Sequence, residues 1–167
     1  MLRISQLSFF LMLLLIITGC KKSNDYPVAP VIKFEEFYKK PTSTGKDDVG
    51  VMVISFRDGD GDLGFHENDT LAPYDKKGDY YYNFIVKYFE RQKGVLKEVS
   101  LPLTNNCRIP YLTPEGKNKV LSGNIAMDIF INNPLSTYDT IRFEVFIYDR
   151  ALHKSNVVQT TDIVVNK

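Results

Sequence analysis

Between Val31 and Val165 the chain alternates apolar and polar residues in short runs separated by Gly, Pro, Asn and Asp. A period of two places successive side chains on opposite faces of a strand, so each run reads as a strand with one buried face. In Tyr80–Arg91, the residues Tyr82, Phe84, Val86 and Tyr88 share one face, and Asn83, Lys87 and Arg91 share the other. Between Lys119 and Ile131 the inward set is Ile125, Met127, Ile129 and Ile131, against Asn124 and Asp128. From Thr140 to Tyr148 it is Ile141, Phe143, Val145 and Ile147, against Arg142 and Glu144. Gly50–Arg57 is almost continuously apolar, the pattern of a strand covered on both faces or lying at a sheet centre. Val31–Tyr38, Val95–Leu101 and Val157–Val165 (with Val157, Ile163 and Val165 inward) complete seven strands, and Gln92-Lys93-Gly94 turns one into the next as a hairpin. Pro102, Pro110 and Pro114 make the stretch after Leu101 irregular. No amphipathic helix interrupts the strands, so the expected fold is all-β: a sandwich of two antiparallel sheets, with a barrel as the alternative.

The N-terminus reads as an address. Arg3 precedes an apolar run from Leu7 to Ile17 broken only by Ser8, and Ile17-Thr18-Gly19-Cys20 follows. The run is short for a permanent membrane helix, which favours a cleaved signal over an anchor. The small residues before Cys20 resemble the lipobox of bacterial lipoproteins, in which the cysteine becomes the acylated (palmitate-bearing) N-terminus. An ordinary secretory signal is the other reading. The expected organisation is a signal peptide over 1–19, a lipidated polar tether over 20–30 and one domain over 31–167. More than one acyl chain on Cys20 would hold the protein stably on a membrane of the cell envelope, with the outer membrane favoured.

Composition narrows the partners. The chain has 21 Lys and Arg against 20 Asp and Glu, and Arg3 is the only charge in the leader, so the mature chain is formally neutral. Neutrality speaks against nucleic acid as a partner, which requires a basic excess. Eleven Phe and ten Tyr provide a large apolar payload without any Trp. Cys107 has no cysteine partner once Cys20 is lipidated and no histidine close in sequence, so it reads as a structural, mostly buried thiol.

The candidate chemistry lies in Asp58-Gly59-Asp60-Gly61-Asp62-Leu63-Gly64, directly after the apolar run Val51–Phe56. Three carboxylates at alternate positions repel one another, and a hard cation relieves that repulsion. The pattern begins like an EF-hand but has Leu63 where that loop needs glycine and Asp69 where it has a bidentate Glu, and its flanks are strand and loop. Strands two and six should leave the sandwich at the same end, which would set Asp149 beside Asp58, Asp60 and Asp62. The expected metal set is therefore Asp58, Asp60, Asp62, Asp69 and Asp149, holding a structural Ca2+; a solvated Asp-Gly turn is the plain alternative.

Other chemistry is thinner. His66 and His153 fall in the two loops expected to be neighbours, yet histidines in polar loops are usually solvated. No nucleophile elbow, zinc-protease or phosphate-loop motif occurs, and Glu98, Glu115 and Glu144 show no convergence, so the chain is not expected to be an enzyme. Tyr74, Tyr81 and Tyr111 offer rings on which a glycan could stack, although tyrosines on strands are more often core.

The lipobox, followed by a strand and Phe56-Arg57-Asp58-Gly59-Asp60-Gly61-Asp62-Leu63-Gly64, resembles small uncharacterised lipoproteins of Bacteroidota. Phe143–Val165 resembles the last hairpin of immunoglobulin-like and fibronectin type III-like domains, which often carry Asp-x-Ala-Gly-Asn-x-Ser between the strands. Asp149, Ala151, Ser155 and Asn156 keep that register, with Leu152 and His153 departing from it. The resemblance implies an immunoglobulin-like sandwich used as a structural or interaction module, with an unidentified protein or glycan partner.

Overall fold

A computed structural model describes residues 26–112 and 120–167. The leader, Cys20, Glu115 and Lys119 lie outside the described residues. Among the described residues eight strands form: β1 (Val31–Lys39), β2 (Val49–Asp58), β3 (Phe84–Gln92), β4 (Val95–Glu98), β5 (Leu121–Phe130), β6 (Thr140–Ile147), β7 (Val158–Gln159) and β8 (Ile163–Val164). All pairings between them are antiparallel. One sheet has the order β1-β2-β5; the other runs β4-β3-β6-β7, with β8 also pairing β6. The expected two-sheet sandwich is the architecture found, and the described residues contain no helix.

The core is the set of inward positions from both sheets. Met52, Ile54 and Phe56 of β2 and Ile129 of β5 face Phe84 and Tyr88 of β3 and Ile141, Phe143, Val145 and Ile147 of β6, all buried. β2 owes its continuous apolar run to its place in the middle of the three-stranded sheet. At the β3–β4 hairpin, Gln92 pairs Val95 across a two-residue loop whose residues, Lys93 and Gly94, both have positive φ. That is the backbone a type I′ turn requires, and its twist matches the strands it joins.

Three expectations are corrected. The last strand is broken in two because Thr160 turns inward: its amide donates to the Phe143 carbonyl at 3.0 Å and its Oγ1 accepts from the Phe143 amide at 3.1 Å. Asp162 swings outward instead to pair with Arg91 and Arg142, and Val157 is exposed rather than inward. Tyr80–Tyr82 lie in the irregular stretch before β3 rather than in the strand. Asn83, expected on the wet face, is fully buried.

Asn83 introduces a recurring device. Its Oδ1 accepts from the Ile109 amide at 2.6 Å and its Nδ2 donates to the Ile109 carbonyl at 3.4 Å. Asn105 engages both backbone groups of Phe130 in the same way, at 2.9 and 3.0 Å, and Asn156 those of Ile32, at 2.8 Å each. Each side-chain amide acts as one rung of a missing strand, satisfying backbone groups where the ladder stops. A buried carboxylate, Glu90, sits at the far end of the sandwich from the Asp loop. It accepts from Tyr88, Gln92, Asn133 and Ser136 and so ties β3 to the turn before β6.

Candidate metal centre

The Asp loop begins where β2 ends. Asp58 still pairs in register with Leu121 of β5, so its backbone is held by the sheet while its side chain enters the end of the sandwich, with no exposed surface. Gly59 then passes close beneath the N-terminal segment. Its amide donates to the Pro27 carbonyl at 3.0 Å, and a Cβ there would lie 2.3 Å from the Tyr26 oxygen. Glycine is the residue that this approach allows.

β6 delivers the second loop. Asp149 follows Ile147 and Tyr148 and is fully buried. The loops meet through hydrogen bonds: the Ala151 amide donates to Asp62 Oδ2 at 3.0 Å, and the Arg150 amide to the Asp62 carbonyl at 3.2 Å. The neighbourhood of the two loops, expected from the order of the strands alone, is the arrangement found.

Asp58, Asp60 and Asp62 each present a carboxylate oxygen within 4.8 Å of the others. Both oxygens of Asp58, together with Oδ1 of Asp60 and Oδ1 of Asp62, are buried without a hydrogen bond of ordinary geometry, although the Gly61 amide acts on Asp58. Burial first, and then the Asp60 and Asp62 carboxylates, push the Asp58 carboxyl up to about 7; the Gly61 amide works the other way. Asp62 is also raised, by burial and by the charges of Asp149 and Asp60. Buried polar atoms almost always have partners, so three neighbouring carboxylates with unsatisfied oxygens form a group that could hold a cation. The donors are all oxygen, which selects a hard ion over a thiolate- or imidazole-seeking one.

Asp149 and Asp69 stand outside this convergence. Asp149 Oδ1 accepts from the His153 amide at 2.7 Å and Oδ2 faces His153 Nδ1 at 2.9 Å. Burial raises its carboxyl, and the contacts to His153 offset part of that rise. Its bonds to His153 close the 149–153 turn, whose Ala151 amide reaches Asp62, while its own charge raises the Asp62 carboxyl. Asp69 Oδ2 accepts from the His66 amide at 2.8 Å, and Oδ1 pairs with Arg150 at 2.9 Å. It therefore braces one loop against the other.

The remaining expected residues have internal partners. Tyr74 donates its hydroxyl to the Arg150 carbonyl at 2.6 Å and packs its ring on Phe65. Tyr81 lies edge-on to Tyr82 and against the Arg108 guanidinium. Tyr111 stacks on His66, with ring centroids 3.7 Å apart. Cys107 is half-buried against Met127, and burial raises its thiol to about 11, an unreactive state.

Arg108 and Asn156 escaped sequence reasoning. Arg108 donates to the carbonyls of Asp69, Tyr74 and Tyr81 and lies between the rings of Phe65 and Tyr81, stapling the long β2–β3 connection. Nothing local in sequence marks it. Asn156 did carry a signal, since it stands in the hairpin pattern with Ser155. In the structure Ser155 Oγ accepts from the Ile147 amide at 2.9 Å, and Asn156 clamps β1.

The fold and site define an antiparallel β-sandwich with, at one end, a cluster of three carboxylates that could hold a metal ion, braced by the loop after β6. No protein-family model, curated protein or solved structure matches the chain.

Proposed function

We propose that this protein is a lipid-anchored module of the bacterial cell envelope, serving structure or interaction rather than catalysis, whose Asp58–Asp60–Asp62 centre binds calcium. The observation that carries the calcium reading is Asp58: fully buried, with neither carboxylate oxygen in a hydrogen bond of ordinary geometry and two more carboxylates beside it. Calcium accepts six to eight oxygens in adaptable geometry, so three Asp residues, water and loop carbonyls suit it better than the rigid octahedron of magnesium. Binding only the folded chain, the ion stabilises the fold by linkage in a calcium-replete exterior. It would hold the loops after β2 and β6 together.

Envelope anchoring is supported by the sequence of the leader and by Cys20 in its lipobox-like setting. The resemblance to Bacteroidota lipoproteins supports the same reading. Glycan binding has less behind it: Tyr74, Tyr81 and Tyr111 are each stacked on or bonded to their own chain. Calorimetry of the purified chain with calcium, alongside melting with and without chelator, tests the centre. Saturable binding and a higher Tm are expected; no heat and no shift would overturn the reading.

A further inference from the structure

Edge strands expose unpaired N–H and C=O groups, and proteins blunt them with short length, charge, bulges or caps. Among the described residues, three of the four sheet edges are blunted. β4 has four residues, including Lys97 and Glu98, and β7 has two. β1 has a register break between Phe34 and Glu36, carries Lys33, Glu35, Glu36 and Lys39, and is capped at Ile32 by Asn156. β5 is different. It pairs with β2 in unbroken register from Leu121 to Phe130, and Asp128 is its only charge, already matched by Lys40 of the same chain.

The direction of the free groups on β5 follows from Phe130. Both its backbone groups bond Asn105 and therefore point away from β2, whereas the Ile131 amide donates back to the Asp48 carbonyl at 3.1 Å. Antiparallel pairing alternates this direction residue by residue, so Ser122, Asn124, Ala126 and Asp128 also aim their N–H and C=O outward. All four are exposed, and none has a backbone partner on that side among the described residues.

We propose that β5 is a homodimerisation edge, pairing antiparallel with β5 of a second copy about a two-fold axis at Ile125. This register sets Asn124 opposite Ala126 and Ser122 opposite Asp128, so that all four outward residues exchange both backbone groups and none is left over. The one charge meets a serine, not its own image, so the edge is self-complementary. Asn105 closes the pairing at Phe130, and the two three-stranded sheets become one continuous sheet. The proposal does not rest on the calcium centre.

Sedimentation equilibrium of the full chain in non-ionic detergent tests it. The wild type is expected to be a dimer. Ala126→Pro removes an N–H that points away from β2, and Ala126→Lys brings like charges together near the axis; both should give a folded monomer, with far-ultraviolet circular dichroism unchanged. Glu35→Lys on β1 should leave the dimer intact. A wild-type monomer overturns the proposal and leaves the edge to an extended segment of another protein. A dimer that survives both Ala126 variants, or is lost on Glu35→Lys, overturns it as well.

Discussion

The Ala151 amide donates to Asp62 Oδ2 at 3.0 Å across 89 residues of sequence, and this bond makes one site of two loops. It occupies one oxygen of Asp62 and leaves Oδ1 buried and unpartnered beside Asp58 and Asp60. The loop after β6 thus aims a carboxylate of the loop after β2.

Removing either part should weaken the ion differently. Asp60→Asn deletes a converging carboxylate and should abolish most of the calcium-dependent rise in Tm. Asp149→Ala removes the acceptor that closes the 149–153 turn, whose Ala151 amide orients Asp62, and outer-shell losses of this kind typically cost roughly 10–100-fold in metal affinity. Calcium titration by calorimetry reads both. A site indifferent to Asp149→Ala would be local to the first loop.

Without the ion, Asp58 should make the fold weaken as pH rises. Its carboxyl is held at about 7 in the folded chain against 3.8 for the free group, so between these values the folded state binds the proton more tightly than the unfolded one. This contribution to stability falls as pH climbs from about 4 to about 7 and is flat above. In chelator, Asp58→Asn should remove the slope and raise Tm near neutral pH, by roughly 2–4 °C per kcal/mol relieved at this chain length. The same variant should lose the calcium response.

Glu90 gives the opposite sign. Burial pushes its carboxyl up, but donors from Asn133, Ser136, Gln92 and Tyr88 outweigh that and hold it low. Its stabilising contribution is therefore complete above the unfolded value of 4.5 and is lost as pH falls below it. Glu90→Leu should cost about 1–3 kcal/mol for the buried donors it strands and flatten the acid limb of a Tm–pH profile.

Gly59→Ala probes the N-terminal strap. The added Cβ meets the Tyr26 and Pro27 carbonyl oxygens at 2.3 and 2.6 Å, so residues 26–27 must lift away. A loss of about 1–3 kcal/mol is expected. Lower protection against hydrogen exchange of the residue-59 amide, which loses the Pro27 carbonyl, is the direct readout.

Much of the sandwich was legible because period-two patterns state which side chains face inward. Ile141, Phe143, Val145 and Ile147 read as a buried row and are one. The Asp loop was legible because Asp and Gly at alternate positions are costly without a ligand. Asn83 was misread, since a polar side chain on a strand looks solvent-facing unless its partner, Ile109, is known to lie across from it. The break at Thr160 hid for the same reason.

The sequence by itself determined an all-β chain, most of the inward rows and the three carboxylates of the loop, since each follows from local spacing and residue chemistry. Only tertiary structure decided which acids converge. Asp69 and Asp149 looked equivalent to the rest, but Arg150 and the His66 amide claim the first, and His153 claims the second. A carboxylate's role depends on which donors reach it first, and those donors come from residues distant in the chain or from the local turn of a loop whose path the fold sets.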